Sequence, residues 1–112
     1  MALNKHQIFA TNDLKEKLIE MPEWGGSVKI RALSVKEQLD YDAYIATEPK
    51  EIDMALQLIM FACVDDNNNK LFNKDDIELL KQKSSKNLFK LVHEILDLNK
   101  QNPKNQEDLL KN

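Results

Sequence analysis

The chain has 112 residues, of which 16 are basic and 19 acidic, for a formal net charge of −3. That length predicts one domain with a single core burying about 60–68% of the unfolded surface. The acidic balance argues against a nucleic-acid partner, because such binders carry a basic face. The single cysteine, Cys63, excludes an internal disulfide and a cysteine-based metal cluster.

In chain order, residues 1–12 read as a loose segment, held at most by Ile8 and Phe9. Strand-like alternation follows over residues 17–21 and again over 28–33, where Val28, Ile30 and Ala32 point to one face and Lys29, Arg31 and Leu33 to the other. Between the two runs stand Pro22, Trp24, Gly25 and Gly26. Proline lacks a donor and suits a strand end, and the glycines tolerate positive φ, so this is a hairpin reversal. Ser34 then opens a helix, with Glu37 at the offset of a capping box. Along residues 34–47, Val35, Leu39, Ala43 and Ala46 recur at helical spacing and predict the buried stripe. Tyr41, Tyr44 and Ile45 lie beside it, either under the hairpin or on a second, intermolecular face.

Pro49 favours the first turn of a helix running from Glu48 or Pro49 to Val64. Residues 54–64 are apolar nearly all round, so this helix belongs at the centre of the core or under a partner chain. Met54 and Met60 read as core filler, and Cys63 as a buried thiol. Residues 65–69 form a polar turn. Asn73 caps a helix to about Lys83, with Ile77 and Leu80 inward, and Ser84 or Ser85 starts the next. There Leu88, Leu91, Val92, Ile95 and Leu98 make a broad stripe that Phe89 and Leu96 widen, which suggests two contacts rather than one. Residues 100–112, around Pro103, read as a mobile tail in which Leu109 and Leu110 could dock. The fold class expected is α+β: an N-terminal β-hairpin packed on about four helices.

Chemistry-bearing patterns are few. Counting from Asp65, side-chain oxygens at Asp65, Asn67 and Asn69, a backbone carbonyl at Leu71, Phe72 and then Asp76 imitate an EF-hand loop. Lys70, however, replaces the glycine of the sharp turn, and Asp76 is short for a bidentate ligand. The stretch is therefore read as an inter-helix turn, with no metal site expected. His6 and His93 are too isolated for a metal pair, and His93 beside Glu94 reads as a solvent-edge residue. The lysines at 81, 83, 86 and 90 stand among acidic residues and read as solvated helix faces. No phosphate loop, nucleophile elbow or paired-carboxylate cleft is visible, so neither catalytic residues nor a cofactor are expected. Trp24 serves either as a lid over the hairpin or as an interface anchor. Arg31 either pairs with Glu20 or Glu23 across the hairpin or orients a neighbouring subunit. The longest nearly apolar run, residues 54–64, is too short to span a bilayer, and residues 1–6 show no signal-peptide core, so a soluble intracellular protein is expected.

The segment Pro22-Glu23-Trp24-Gly25-Gly26, followed by a β run ending Ile30-Arg31-Ala32-Leu33-Ser34 and a Glu-bearing helix, resembles the tail assembly chaperones of long-tailed bacteriophages. The likeness continues through Phe61-Ala62-Cys63-Val64, the Asp65-Asp66-Asn67 turn, Lys70-Leu71-Phe72-Asn73 and Asp76-Ile77, covering roughly residues 13–99. The Asn-rich turn departs from the family's Asp or Gly. This resemblance implies a non-catalytic protein that coats the tape measure protein, helps recruit tail tube subunits, and works in the host cytoplasm without remaining in the virion. The alternatives are a tail completion subunit retained in the particle and a calcium-responsive module. Self-association is expected from the apolar helix and the widened stripe. Candidate contact residues are Trp24, Gly25, Gly26, Arg31, Tyr41, Tyr44 and Phe89, with neither nucleic acid nor membrane among the partners.

Overall fold

A computed structural model describes residues 1–100; the proposed tail with Leu109 and Leu110 lies outside them. Eight elements follow in order: α1 (Lys5–Ala10), β1 (Glu16–Met21), β2 (Gly26–Arg31), α2 (Val35–Ile45), α3 (Glu51–Ala62), β3 (Cys63–Val64), α4 (Ile77–Leu80) and α5 (Ser85–Lys100). The architecture is α+β, with an antiparallel sheet in the order β1-β2-β3. The expected hairpin is thus the larger part of a three-stranded sheet.

In β1 and β2 the pleat does what the alternation requires. Ile19 pairs with Val28 and Lys17 with Ile30, which places Ile19, Met21, Val28 and Ile30 on one face. Ile19, Met21 and Ile30 are buried there. The reversal is a 3-10 turn over Pro22–Trp24, closed by a hydrogen bond from the Gly25 N–H to the Pro22 carbonyl. Only Gly25 needs glycine's freedom, at φ +82; Gly26 is an ordinary strand residue.

Two expected boundaries move. Pro49 stands outside α3, because Glu48 takes a left-handed φ of 58 and Lys50 is the N-cap. At the other end Cys63 and Val64 leave the helix and become β3, pairing with Ile30 and Lys29. Both residues are buried, so their backbone groups need partners, and the open side of β2 provides them. Leu71 N–H supplies another bond, to the Cys63 carbonyl.

A larger correction concerns α2. Val35 and Leu39 are 79% and 63% exposed, whereas Tyr41 is buried. The helix is turned so that Glu37, Tyr41 and Tyr44 face the molecule and the expected apolar stripe faces water. Helix spacing makes residues 37, 41 and 44 one face. Glu37 fixes that choice, because its carboxylate is engaged by Arg31 at the end of β2.

Helix α3 is central, as its composition demands, with Ala55, Leu56, Leu58, Ile59 and Ala62 all buried. The facing stripe of α5, Leu88, Leu91, Val92, Ile95 and Leu98, is buried as well. Asn99 joins α5 to the chain after the sheet: its Oδ1 accepts from the Leu33 N–H at 3.0 Å, and its Nδ2 donates to the Ile95 carbonyl. The Asn73 capping box forms, reciprocated by Asp76, but it caps a 3-10 turn over Lys74–Asp76 that leads into the short α4, which ends at Leu80 rather than near Lys83. The N-terminal segment contains a helix, α1, held by an Asn4–Gln7 capping box, and Ile8 and Phe9 are exposed rather than pinned to the core. Among the described residues no helix is long and apolar enough to cross a membrane.

Truncation tests this arrangement directly. Leu91, fully buried, loses about 2–5 kcal/mol of stability on replacement by alanine. Val35→Ala, on the face once expected inward, changes it by less than ~0.5 kcal/mol. Chemical denaturation of the two variants side by side gives both values.

Candidate protein-interaction surfaces

Three regions gather the side chains singled out in the sequence. The first is the end of the hairpin. Trp24 is half-buried and packs against the core cluster, while Gly25 and Gly26 beside it are exposed. Trp24 therefore combines a structural contact with an accessible edge.

The second region is a clasp. Arg31 does not pair with Glu20 or Glu23: it donates from both terminal nitrogens to Glu37, at 2.7 and 2.8 Å, a bidentate fork. Glu20 instead accepts from Ser27. Glu37 also closes the Ser34 capping box and accepts from Lys70, whose ammonium donates to the Phe61 carbonyl and stands 5.0 Å from the Phe61 ring centroid. One carboxylate thus joins β2, α2, the end of α3 and the segment after β3. Burial pushes the Glu37 carboxyl up, but hydrogen bonds from Arg31, Lys70 and the Ser34 N–H outweigh it and bring its pKa down to about 2. The hydrogen bond to Glu37 holds Arg31 above its ordinary value against the opposing effect of burial.

The third region is an apolar groove of about 400 Å³ between α3 and α5. Tyr41 of α2, Met54, Ala55 and Leu58 of α3, and Phe89, Val92 and Leu96 of α5 line it. Glu51 and His93 stand among the lining residues as its polar members. Burial raises the Tyr41 phenol, with smaller contributions from Asp42 and Tyr44. The structure thus unites Tyr41 and Phe89 and leaves Tyr44 and the hairpin residues elsewhere. Composition did not single out Met54 and Leu58 as groove residues; the signal was the second stripe of α5, Phe89 and Leu96, beyond what one contact needs.

The calcium-like turn uses its oxygens internally. Asp65 Oδ1 accepts from the N–H groups of Asn67 and Asn69, at 2.8 and 3.0 Å, and Asn68 adopts a left-handed φ of 66. The Asp76 carboxylate accepts from the Asn73 N–H, and Lys70 is held in the clasp. Among the described residues no group of three or more His, Cys, Asp or Glu side chains is placed to hold a metal ion. Cys63 is fully buried, and burial pushes its thiol up to about 12, which removes it as a nucleophile.

No protein-family model and no curated protein matches the sequence. The structure, by contrast, is similar to that of the bacteriophage HK97 tail assembly chaperone, with a TM-score of 0.62 over 84% of this chain and 92% of that one, at 19% identity. The chain has the fold of a phage tail assembly chaperone. The likeness first visible in the hairpin motif and the order of the later segments extends to the three-dimensional arrangement.

The clasp predicts an acid limb. Because the folded pKa of Glu37 lies below the ordinary glutamate value of about 4.3, its contribution is complete above that pH and is lost as pH falls toward about 2. Glu37→Gln lowers stability at neutral pH by about 1–3 kcal/mol, leaving Arg31 underpaired. The gap from wild type narrows on acidification, read by urea midpoints at several pH values. For the turn, millimolar calcium leaves the thermal midpoint unchanged, since an ion bound only by the native state would raise it.

Proposed function

We propose that this protein is a tail assembly chaperone: a non-catalytic binding protein that coats the tape measure protein, helps recruit tail tube subunits, and associates with itself. It acts in the host cytoplasm and is absent from the finished particle. The observation that carries this reading is the similarity of fold to the HK97 chaperone across 92% of that chain. The physical character of the surface agrees. Excess negative charge favours solubility, while the α3–α5 groove and the accessible edge of Trp24 offer apolar area to another chain.

Amphipathic helices dock by laying an apolar stripe into a groove or against an aromatic anchor, and a long helical partner presents such stripes repeatedly. A binder of this kind needs no bond-making chemistry. It needs apolar contact that can be released when the permanent partner arrives.

Co-expression with the tape measure protein of the same phage tests the proposal. The long protein stays soluble and is recovered on the tagged chain, tail tube protein joins only when both are present, and purified particles lack the chain. Trp24→Ala reduces recovery by about 30-fold or more in affinity if the indole is an anchor. Failure to retain the tape measure protein, or stoichiometric presence in particles, overturns the chaperone reading, and the latter outcome selects the tail completion alternative.

A further inference from the structure

The α3–α5 groove opens close to where the described residues end. Of the helices that line it, α5 continues from Leu96 for about one turn to Lys100, roughly 6 Å along its axis. Residues 101–112 follow, and Leu109 and Leu110 are the only large apolar side chains among them. Pro103 lacks a backbone donor and disfavours helical backbone at Asn102, so the sequence marks a place where the chain can leave the α5 axis.

Reach and charge both fit a return to the groove. Leu109 stands nine residues beyond Lys100, which extended backbone converts into about 30 Å. Phe89, the α5 groove residue farthest from Lys100, lies about 17 Å back along the helix. Lys111 directly follows the leucines, Glu51 is the one carboxylate of the lining, and no lysine or arginine lines the groove. Size selects the source of the segment. Two leucines and a lysine bury far less than the about 1,200–2,000 Å² of a stable interface between separate molecules. A tethered segment needs no such area, because a short linker holds it at an effective concentration on the order of millimolar.

We propose that the C-terminal segment of this chain folds back onto its own groove, with Leu109 and Leu110 seated among Leu58, Phe89 and Leu96 and Lys111 beside the Glu51 carboxylate. The contact is a weak intramolecular cover, which shields the apolar recess from water and yields to any partner that fills the groove with more area. The inference concerns one chain alone and stands without the tail-assembly reading.

A spin label attached at Asn112→Cys tests it on the full, isotope-labelled chain. Cys63, the natural thiol, is fully buried and does not compete for the label. In dilute solution the amide signals of Leu58, Phe89 and Leu96 lose most of their intensity, and reduction of the label restores them. Replacing both leucines, Leu109→Ser with Leu110→Ser, abolishes the loss without touching the described fold. Leu96→Glu, verified as folded by circular dichroism, abolishes it from the groove side, read at Leu58 and Phe89. Mixing spin-labelled chain with isotope-labelled chain that carries no label gives no loss, because each groove holds its own segment. Groove signals untouched by the label, a loss that survives the leucine replacements or Leu96→Glu, or an equal loss in the mixture overturns the proposal. The last outcome assigns the groove to the segment of another molecule. Retention of the tape measure protein is a separate measurement, so either reading can fail alone.

Discussion

A helix that is apolar nearly all the way round cannot stand at a surface, and the rest of this molecule is arranged to cover α3. Its residues Leu56, Leu58, Ile59 and Ala62 meet the sheet, α2 and α5 in one cluster with Ile30, Tyr41, Leu91 and Ile95. Each full burial of a large aliphatic side chain is worth about 1.5–3 kcal/mol relative to exposure, so this cluster is the principal source of stability. The same demand explains β3. After Ala62 the chain is still inside the protein, and two residues of strand satisfy their backbone groups against β2 and the segment from Lys70.

Polar contacts decide the orientation of what surrounds that core. The Glu37 carboxylate takes the Arg31 fork, the Lys70 ammonium and the Ser34 N–H, and so holds α2 by the face that carries 37, 41 and 44. Alone, a pair of exposed charges would contribute little. Here Arg31 and Glu37 are 13% and 14% exposed, and leaving one unpaired carries the cost of a desolvated charge. The consequence reaches the surface: with α2 held this way, Tyr41 is directed into the groove and Val35 and Leu39 are left in water.

Coverage of α3 is incomplete on one side, where the apolar groove opens. Between α3 and α5, Met54 and Phe89 are half-buried and Leu96 is 44% exposed. Such a recess has the form that receives an amphipathic helix. The proposed chaperone role requires an apolar surface that is kept soluble by charge elsewhere.

The sequence by itself determined the elements whose signals are local. The β1–β2 alternation, the Ser34 and Asn73 caps, the central apolar helix and the α5 stripe depend on periodicity and on side chains that bond to backbone a few residues away. Phe89 and Leu96 stood outside the one buried stripe in the sequence, and both line the groove. What only the tertiary structure decided depends on partners distant in the chain. Cys63 and Val64 look helical until β2 offers an edge more than thirty residues upstream. Residues 35, 39, 43 and 46 look like the buried face of α2 until Arg31 and Lys70 claim Glu37. Arg31 could not be assigned between Glu20, Glu23 and another chain, since any carboxylate within reach satisfies a guanidinium and only the three-dimensional arrangement selects one. The groove belongs to the same class: α2, α3 and α5 each contribute a wall, and no local pattern encodes how far apart three helices will stand.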